Sequence, residues 1–209
     1  VIQAFRSRYP KVGLELHQGT SEQIAELVAA NRVDFAIATG AQNLFPDLML
    51  LPCYEWDRIV LVPTGHDLAL SKDPLTIEKL AQYPLVTYVF GVTGESSFKK
   101  AFANIGLEPD VVFTARDADI IKTYVRMGMG VGIVAAMAWE CQDKKDLVAI
   151  DAAGLFPRVK TWIGFRRDTV LRGYMVDFAN FFAPHLTPEL TQRAASMETQ
   201  AEVDALFAH

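Results

Sequence analysis

Cysteine is scarce: Cys53 and Cys141 are the only two. Neither has a second Cys or a His at metal-ligand spacing, which excludes a disulfide-stapled scaffold and a zinc site and fits free thiols in a reducing compartment. The four histidines, His17, His66, His185 and His209, are scattered and bring no Asp or Cys partner at a convincing position. No Gly-x-Ser-x-Gly elbow, Walker loop or His-Glu-x-x-His stretch is present, so hydrolase and nucleotide-cleaving chemistry has no starting point. Basic runs are missing as well. Twenty Lys and Arg stand against 25 Asp and Glu, a net charge of −5, and nothing here neutralises a phosphate backbone. The longest nearly uncharged apolar run, residues 127–139, falls short of the roughly 18–20 residues that a membrane helix requires. A secretory leader with its charged, apolar and cleavage regions is not written at the start either.

What is present is a globular composition: 51% hydrophobic and 22% charged residues, enough apolar side chain to bury a core and too much for a disordered chain. Apolar positions switch repeatedly between period 2 and period 3.6, the pattern of an α/β fold. Val12, Leu14 and Leu16 alternate with polar residues and predict a half-buried strand. Thr20 and Gln23 have capping-box spacing before the apolar stripe Ile24, Leu27 and Val28. Strands are expected over 34–38, 48–53, 58–63, 85–89, 111–113, 131–135, 147–150 and 161–165. Helices are expected from Thr76, over 98–105, from Asp117 to Met127, over 171–182 and again from Thr187-Pro188, where Thr caps and Pro opens the turn. Short crossings near 54–58 and 157–160 would join any two lobes. Residues 190–209 read as a docking helix or a tail.

Two features that look chemical have plainer readings. Gly128-Met129-Gly130-Val131-Gly132 superficially resembles a dinucleotide loop, yet it follows a helix and precedes a strand, the reverse of the required order, so it reads as a tight turn. Asp117 and Asp119 lie in a first helical turn, where acidic residues complement the helix dipole.

In open α/β sheets, ligands settle beyond the carboxyl ends of the strands. Hydroxyls and glycines recur there: Gly19, Thr20 and Ser21; Thr39 and Gly40; Gly91, Thr93, Gly94, Ser96 and Ser97; Thr114. Lysine and arginine do not. This donor set suits a small anion held by hydroxyls, peptide N–H groups and helix termini. Thr20 is also an ordinary N-cap candidate, whereas Thr39 and Thr93 are expected to contact ligand. Tyr54 and Trp56 fall at the crossing, as packing or as the wall of a secondary pocket.

The stretches Tyr9-Pro10, His17-Gln18-Gly19, Ala36-Ile37-Ala38-Thr39, Leu51-Pro52-Cys53-Tyr54, Tyr83-Pro84-Leu85-Val86-Thr87-Tyr88, Thr93-Gly94, Asp119-Ile120-Ile121-Lys122-Thr123-Tyr124-Val125 and Gly164-Phe165-Arg166-Arg167 together resemble the effector-binding domain of LysR-type transcriptional regulators. The resemblance is to that family's branch for cysteine biosynthesis, and it runs along nearly the whole chain. It implies two Rossmann-like lobes similar to type II periplasmic binding proteins, with a ligand cleft between them. Residues 1–56 with 159–209 would form lobe I, lacking its N-terminal strand, and 57–158 would form lobe II. By the same resemblance the ligand is sulfate or an inducer such as O-acetylserine or N-acetylserine, with thiosulfate or sulfide opposing. Thr39 and Thr93 match the anion-holding positions, with Gly94 and Thr20 beside them, and Thr87, Tyr54 and Trp56 match positions linked to inducer response. DNA contact is expected from an N-terminal helix-turn-helix outside this chain. A homo-oligomer is implied too: a dimer of effector domains and a tetramer at full length, in the cytoplasm, away from membranes, with no cofactor, metal or catalytic residue. The competing expectation is a free-standing anion-binding protein of a transport system.

Overall fold

The computed structural model describes residues 1–92, 96–167 and 169–208. The chain divides into two compact units, Val1–Glu55 with Lys160–His209, and Trp56–Val159. It begins with helix α1 (Ile2–Arg8), which buries Phe5, and continues to α2 (Ser21–Ala29). The capping box predicted for α2 forms: Thr20 Oγ1 accepts from Gln23 N at 3.3 Å, and Gln23 Oε1 accepts from Thr20 N at 3.0 Å. Strands β1 (Ala36–Thr39) and β2 (Leu48–Trp56) follow.

The second unit contains β3 (Arg58–Pro63), α3 (Asp67–Leu70), α4 (Ile77–Leu80), β4 (Leu85–Tyr88), α5 (Val89–Val92), α6 (Ser97–Ala103), β5 (Val111–Ala115), α7 (Ala118–Arg126), β6 (Val131–Ala135) and β7 (Leu147–Asp151). The strand order is β5-β4-β6-β3-β7. β4 runs parallel to β5 and β6, whereas β3 is antiparallel to β6 and β7. Alternate residues of the central strands enter two separate cores: Val60, Val62, Leu85 and Ile133 pack with Phe98 and Phe102, and Leu61, Val86 and Val134 pack with Ile121 and Val125. Such strands are apolar on both faces, which is why they read as continuous runs rather than alternations. Gly128 has φ +72° and closes the turn after α7, in agreement with the turn reading of this glycine cluster. At Gly130 a Cβ would stand 2.5 Å from the Pro84 carbonyl oxygen, so close approach of two backbones dictates glycine there.

A buried charge cluster ties α7 to the 3-10 turn Cys141–Lys145. Lys122 Nζ lies 2.8 Å from Asp143 Oδ2, and each side chain is only 3% exposed. Arg126 Nη2 donates to Asp143 Oδ1 at 2.7 Å, and Glu140 N donates to Asp143 Oδ2 at 3.0 Å. Burial alone would raise the Asp143 pKa, but these donors outweigh it and hold the carboxyl below its ordinary range.

The chain returns to the first unit through β8 (Val159–Arg166), followed by α8 (Gly173–Phe182), α9 (Pro188–Ala195) and α10 (Gln200–Leu206). β8 lies between β1 and β2. Phe5 of α1 packs edge-on against Phe178 of α8, with ring centroids 5.3 Å apart. Two helices thus occupy the stretch after Thr187, and the Gln200 side chain bonds the Leu50 main chain twice, at 2.7 Å to its N–H and 3.0 Å to its carbonyl.

The strand expected from Val12, Leu14 and Leu16 does not form: residues 13–20 carry no regular secondary structure. Alternation supplies propensity, but a strand exists only against a partner. A hollow of about 370 Å³ is lined by Val12, Leu14 and Leu16 on one segment and by Phe35 and Ile37 on another, and β1 pairs with β8 instead.

Candidate functional site

The carboxyl end of β1 gathers hydroxyls. Thr39 is the register partner of Thr161 on β8, and their Oγ1 atoms lie 3.4 Å apart, one hydroxyl donating to the other. Ser21, the first residue of α2, donates its hydroxyl to the Thr39 carbonyl at 3.3 Å. That bond brings the start of a nine-residue helix beside Thr39, and first-turn N–H groups have no partner within a helix. Gly40 has φ +135°, and its N–H donates to the Lys160 carbonyl at 3.0 Å. Its own carbonyl accepts from Trp162 Nε1 at 2.8 Å. The turn after β1 is therefore fixed from both sides by β8.

Among the described residues, Thr20, Ser21 and Thr39 are bonded by main chain and by uncharged side chains alone. Thr20 uses its oxygen as an acceptor for the cap, so its O–H proton is still available to a ligand. A cluster of this kind offers hydrogen-bond donors without a fixed counter-charge, which suits an anion that carries no proton of its own.

The other expected site residues fall in different surroundings. Tyr54, 40% exposed, donates its hydroxyl to the Phe182 carbonyl and packs edge-on against the Phe182 ring. It also lines a hollow of about 420 Å³ with Lys160, Thr161 and His185. Trp56 belongs to the second unit and is buried with Ala135 and Val159. Thr87 is 1% exposed, and its hydroxyl donates to the Ile133 carbonyl at 3.0 Å, so this donor is already committed to β6. Thr93 and Gly94 lie outside the described residues.

Two contributors, Thr161 and Arg58, escaped the sequence reading. Thr161 sits 122 positions from the threonine it faces, and only the β1–β8 register reveals it. Arg58 opens β3, is 5% exposed and spans two distant segments of the second unit, donating to Pro157 O at 3.2 Å and to Ser97 Oγ at 3.0 Å. Ser97 was noticed only as one of several hydroxyls. Among the described residues no three His, Cys, Asp or Glu side chains gather as metal ligands. No helix there is long and apolar enough to cross a membrane.

Comparison with known proteins places these features in a family. The family model described as the LysR substrate binding domain matches residues 1–187. Among curated relatives, the HTH-type transcriptional regulator CysB of Haemophilus influenzae is 49% identical over 99% of this chain and 64% of its own length. SsuR of Burkholderia cenocepacia, also an HTH-type transcriptional regulator, is 45% identical over 89% of this chain and 60% of its own. The chain thus spans under two thirds of the length of these relatives. The crystal structure of the cofactor-binding domain of the Cbl transcriptional regulator aligns with a TM-score of 0.83 at 37% identity, covering 94% of this chain and 86% of that one. The effector-binding domain of QuiR in complex with shikimate, at 16% identity and a TM-score of 0.70 over 88% of this chain and 87% of that one, shares the fold. The two sheets with their flanking helices are of the type II periplasmic binding protein kind that these domains share. The chain belongs to the LysR substrate-binding domain family.

Proposed function

We propose that this chain is the effector-sensing part of a LysR-type transcriptional regulator of sulfur assimilation and cysteine biosynthesis, and that it recognises sulfate or an O-acetylserine or N-acetylserine type of inducer. The observation that carries the reading is the hydroxyl pair Thr39–Thr161 at the carboxyl end of β1, beside the start of α2 and without a charged partner on Thr39. Sulfate is fully deprotonated near neutral pH and needs only donors. Hydrogen phosphate carries a proton that would require an acceptor such as a carboxylate, so the site should prefer sulfate. On this reading Thr20, Thr93 and Gly94 supply further donors, while Tyr54, Trp56 and Thr87 act on the inducer response through packing. Ligand affects the regulator only as far as it favours one conformation over another. DNA contact belongs to a helix-turn-helix elsewhere in the longer protein, which works as a homo-oligomer in the cytoplasm. That its relatives are HTH-type transcriptional regulators supports a regulator over an enzyme or a transport protein.

Isothermal titration calorimetry with sulfate, phosphate, thiosulfate and the two acetylserines tests the reading. Thr39→Val keeps the shape and removes a donor, and should cost roughly 1–3 kcal/mol of sulfate affinity, about 5- to 150-fold in Kd. Phosphate binding as tight as sulfate, or full affinity in the Thr39→Val protein, would move the site elsewhere.

A further inference from the structure

Thr161 stands where its strand otherwise buries apolar side chains. Ile163 and Phe165 follow on the same face of β8 at 3% and 0% exposure, and Thr161 itself is 8% exposed. Valine would fill this place without a polar atom to satisfy, so the hydroxyl carries a cost that only hydrogen bonding offsets. Thr161 faces Thr39 across the β1–β8 register, which puts both side chains on one face of the sheet, and their Oγ1 atoms are 3.4 Å apart. Ser21, Thr39, Gly40, Thr161 and Trp162 all belong to the first unit.

The bond between the two hydroxyls can run in either direction. A threonine hydroxyl has one proton and two lone pairs. If Thr39 gives its proton to Thr161, it turns only lone pairs toward an anion, which repels them. If Thr161 gives its proton to Thr39, the Thr39 proton is released for the ligand, and accepting one bond strengthens the one it donates. The rest of Thr39 has little freedom. Its carbonyl accepts from Ser21 Oγ at 3.3 Å, and the next residue, Gly40, is held through its N–H by the Lys160 carbonyl and through its carbonyl by Trp162 Nε1. Rotation of the hydroxyl is what remains to be set. At 3.4 Å the bond is longer than the roughly 2.5–3.0 Å usual between hydroxyls, so it has room to shorten when an anion polarises the Thr39 O–H.

We propose that Thr161 is a positioning residue for anion recognition: its hydroxyl donates to Thr39 Oγ1 and turns the Thr39 proton toward the ligand. The proposal rests on the anion-sensing reading above. It is tested in the purified protein with Thr161→Val, which keeps the shape and removes the hydroxyl, with Thr161→Ser, which keeps the hydroxyl, with Thr39→Val, and with Thr39→Val and Thr161→Val combined. Affinity for the tightest of sulfate, O-acetylserine and N-acetylserine is read by calorimetry and, where binding is weak, by heteronuclear NMR titration of the Gly40 amide; melting temperature reports folding. Thr161→Val should melt within a few degrees of wild type and bind about five-fold more weakly, the size of one hydrogen bond. Thr161→Ser should bind within about two-fold of wild type. In the Thr39→Val background Thr161→Val should change nothing further, because the hydroxyl it orients is gone. Should Thr161→Val fail to fold, Thr161→Ala makes the same comparison. Unchanged affinity in Thr161→Val would overturn the proposal. A Thr161→Ser protein as weak as the Val variant would overturn it too, since packing rather than the hydroxyl would then be at work. So would the same loss repeated in the Thr39→Val background, which would make Thr161 a direct and independent contact. Each of these results leaves the anion-sensing reading standing, provided that wild type binds and Thr39→Val binds more weakly. If wild type binds none of the three ligands, or Thr39→Val loses nothing, that reading fails and the positioning role falls with it.

Discussion

Replacing Lys122 by Met would strip the buried Asp143 carboxylate of its ammonium partner, and the geometry sets the expected cost. The two groups are 2.8 Å apart and each is 3% exposed. Removing one partner of such a pair typically costs about 3–5 kcal/mol, because the survivor is left buried without compensation. Here Arg126 and Glu140 N keep two of the carboxylate's bonds, which places the expectation near the lower end, about 3 kcal/mol. Asp143→Asn leaves the Lys122 ammonium against a neutral amide, with only the exposed Asp119 carboxylate 3.6 Å away as a charged partner, and should cost a similar amount. The double variant buries neither charge, so it should be more stable than the summed single costs imply by about 2 kcal/mol or more. Urea unfolding followed by far-UV circular dichroism and tryptophan fluorescence measures this, with both probes required because the chain has two units. The pH dependence has a fixed sign. Asp143 is held below its ordinary pKa, so its contribution is complete above the unfolded carboxylate value near ~3.9 and is lost as pH falls through the lower folded value. The Lys122→Met penalty should therefore shrink toward acid. Strictly additive single costs, or a Lys122→Met penalty under about 1 kcal/mol at pH 7, would reduce the pair to an ordinary surface bridge and refute the argument.

Other outcomes follow from close contacts and burial. Gly130→Ala should destabilise the second unit by about 1–3 kcal/mol, since its Cβ would meet the Pro84 carbonyl at 2.5 Å; Gly13→Ala, with nothing within 4 Å, is the control. Equal melting temperatures for the two variants would show that the Pro84 backbone yields freely. Thiol titration should find Cys141 reactive in the native protein and both thiols reactive in urea, because Cys53 is buried and its pKa is pushed up to about 12 by desolvation. Rapid labelling of both thiols without denaturant would contradict this. Phe98→Ala should cost about 3–5 kcal/mol, as its ring is fully buried against Phe102 and Phe156; a loss below about 1 kcal/mol in chemical denaturation would mean that the site collapses around the void.

Local signals in the sequence were legible because their causes are local. Thr20 with Gln23, Asp117 with the Ile120 N–H and Thr187 with the Leu190 N–H each act across three residues, and each forms. The segment at 12–16 shows the limit of such reading, since whether its alternating residues pair depends on a neighbour that their own pattern does not encode. Thr87 illustrates a second limit. It lies one residue before the end of its strand, whereas Thr39 ends β1, but β4 is buried on both faces, and the Thr87 hydroxyl turns to the Ile133 carbonyl. The Thr39–Thr161 and Arg58–Pro157 contacts join residues 122 and 99 positions apart. Nothing at either end of those pairs announces the other, so Thr161 joined the candidate site only with the register in view.

The Gln200 amide has a meaning beyond holding α10 in place. β2 is the border of its three-stranded sheet, and a border strand offers free peptide groups to any passing chain. By accepting from the Leu50 N–H and donating to its carbonyl, Gln200 imitates the peptide unit of an invading strand and occupies the place that such a strand would take. Helix α10 thus closes that border of the sheet at Leu50 while leaving the hydroxyl end of β1 untouched.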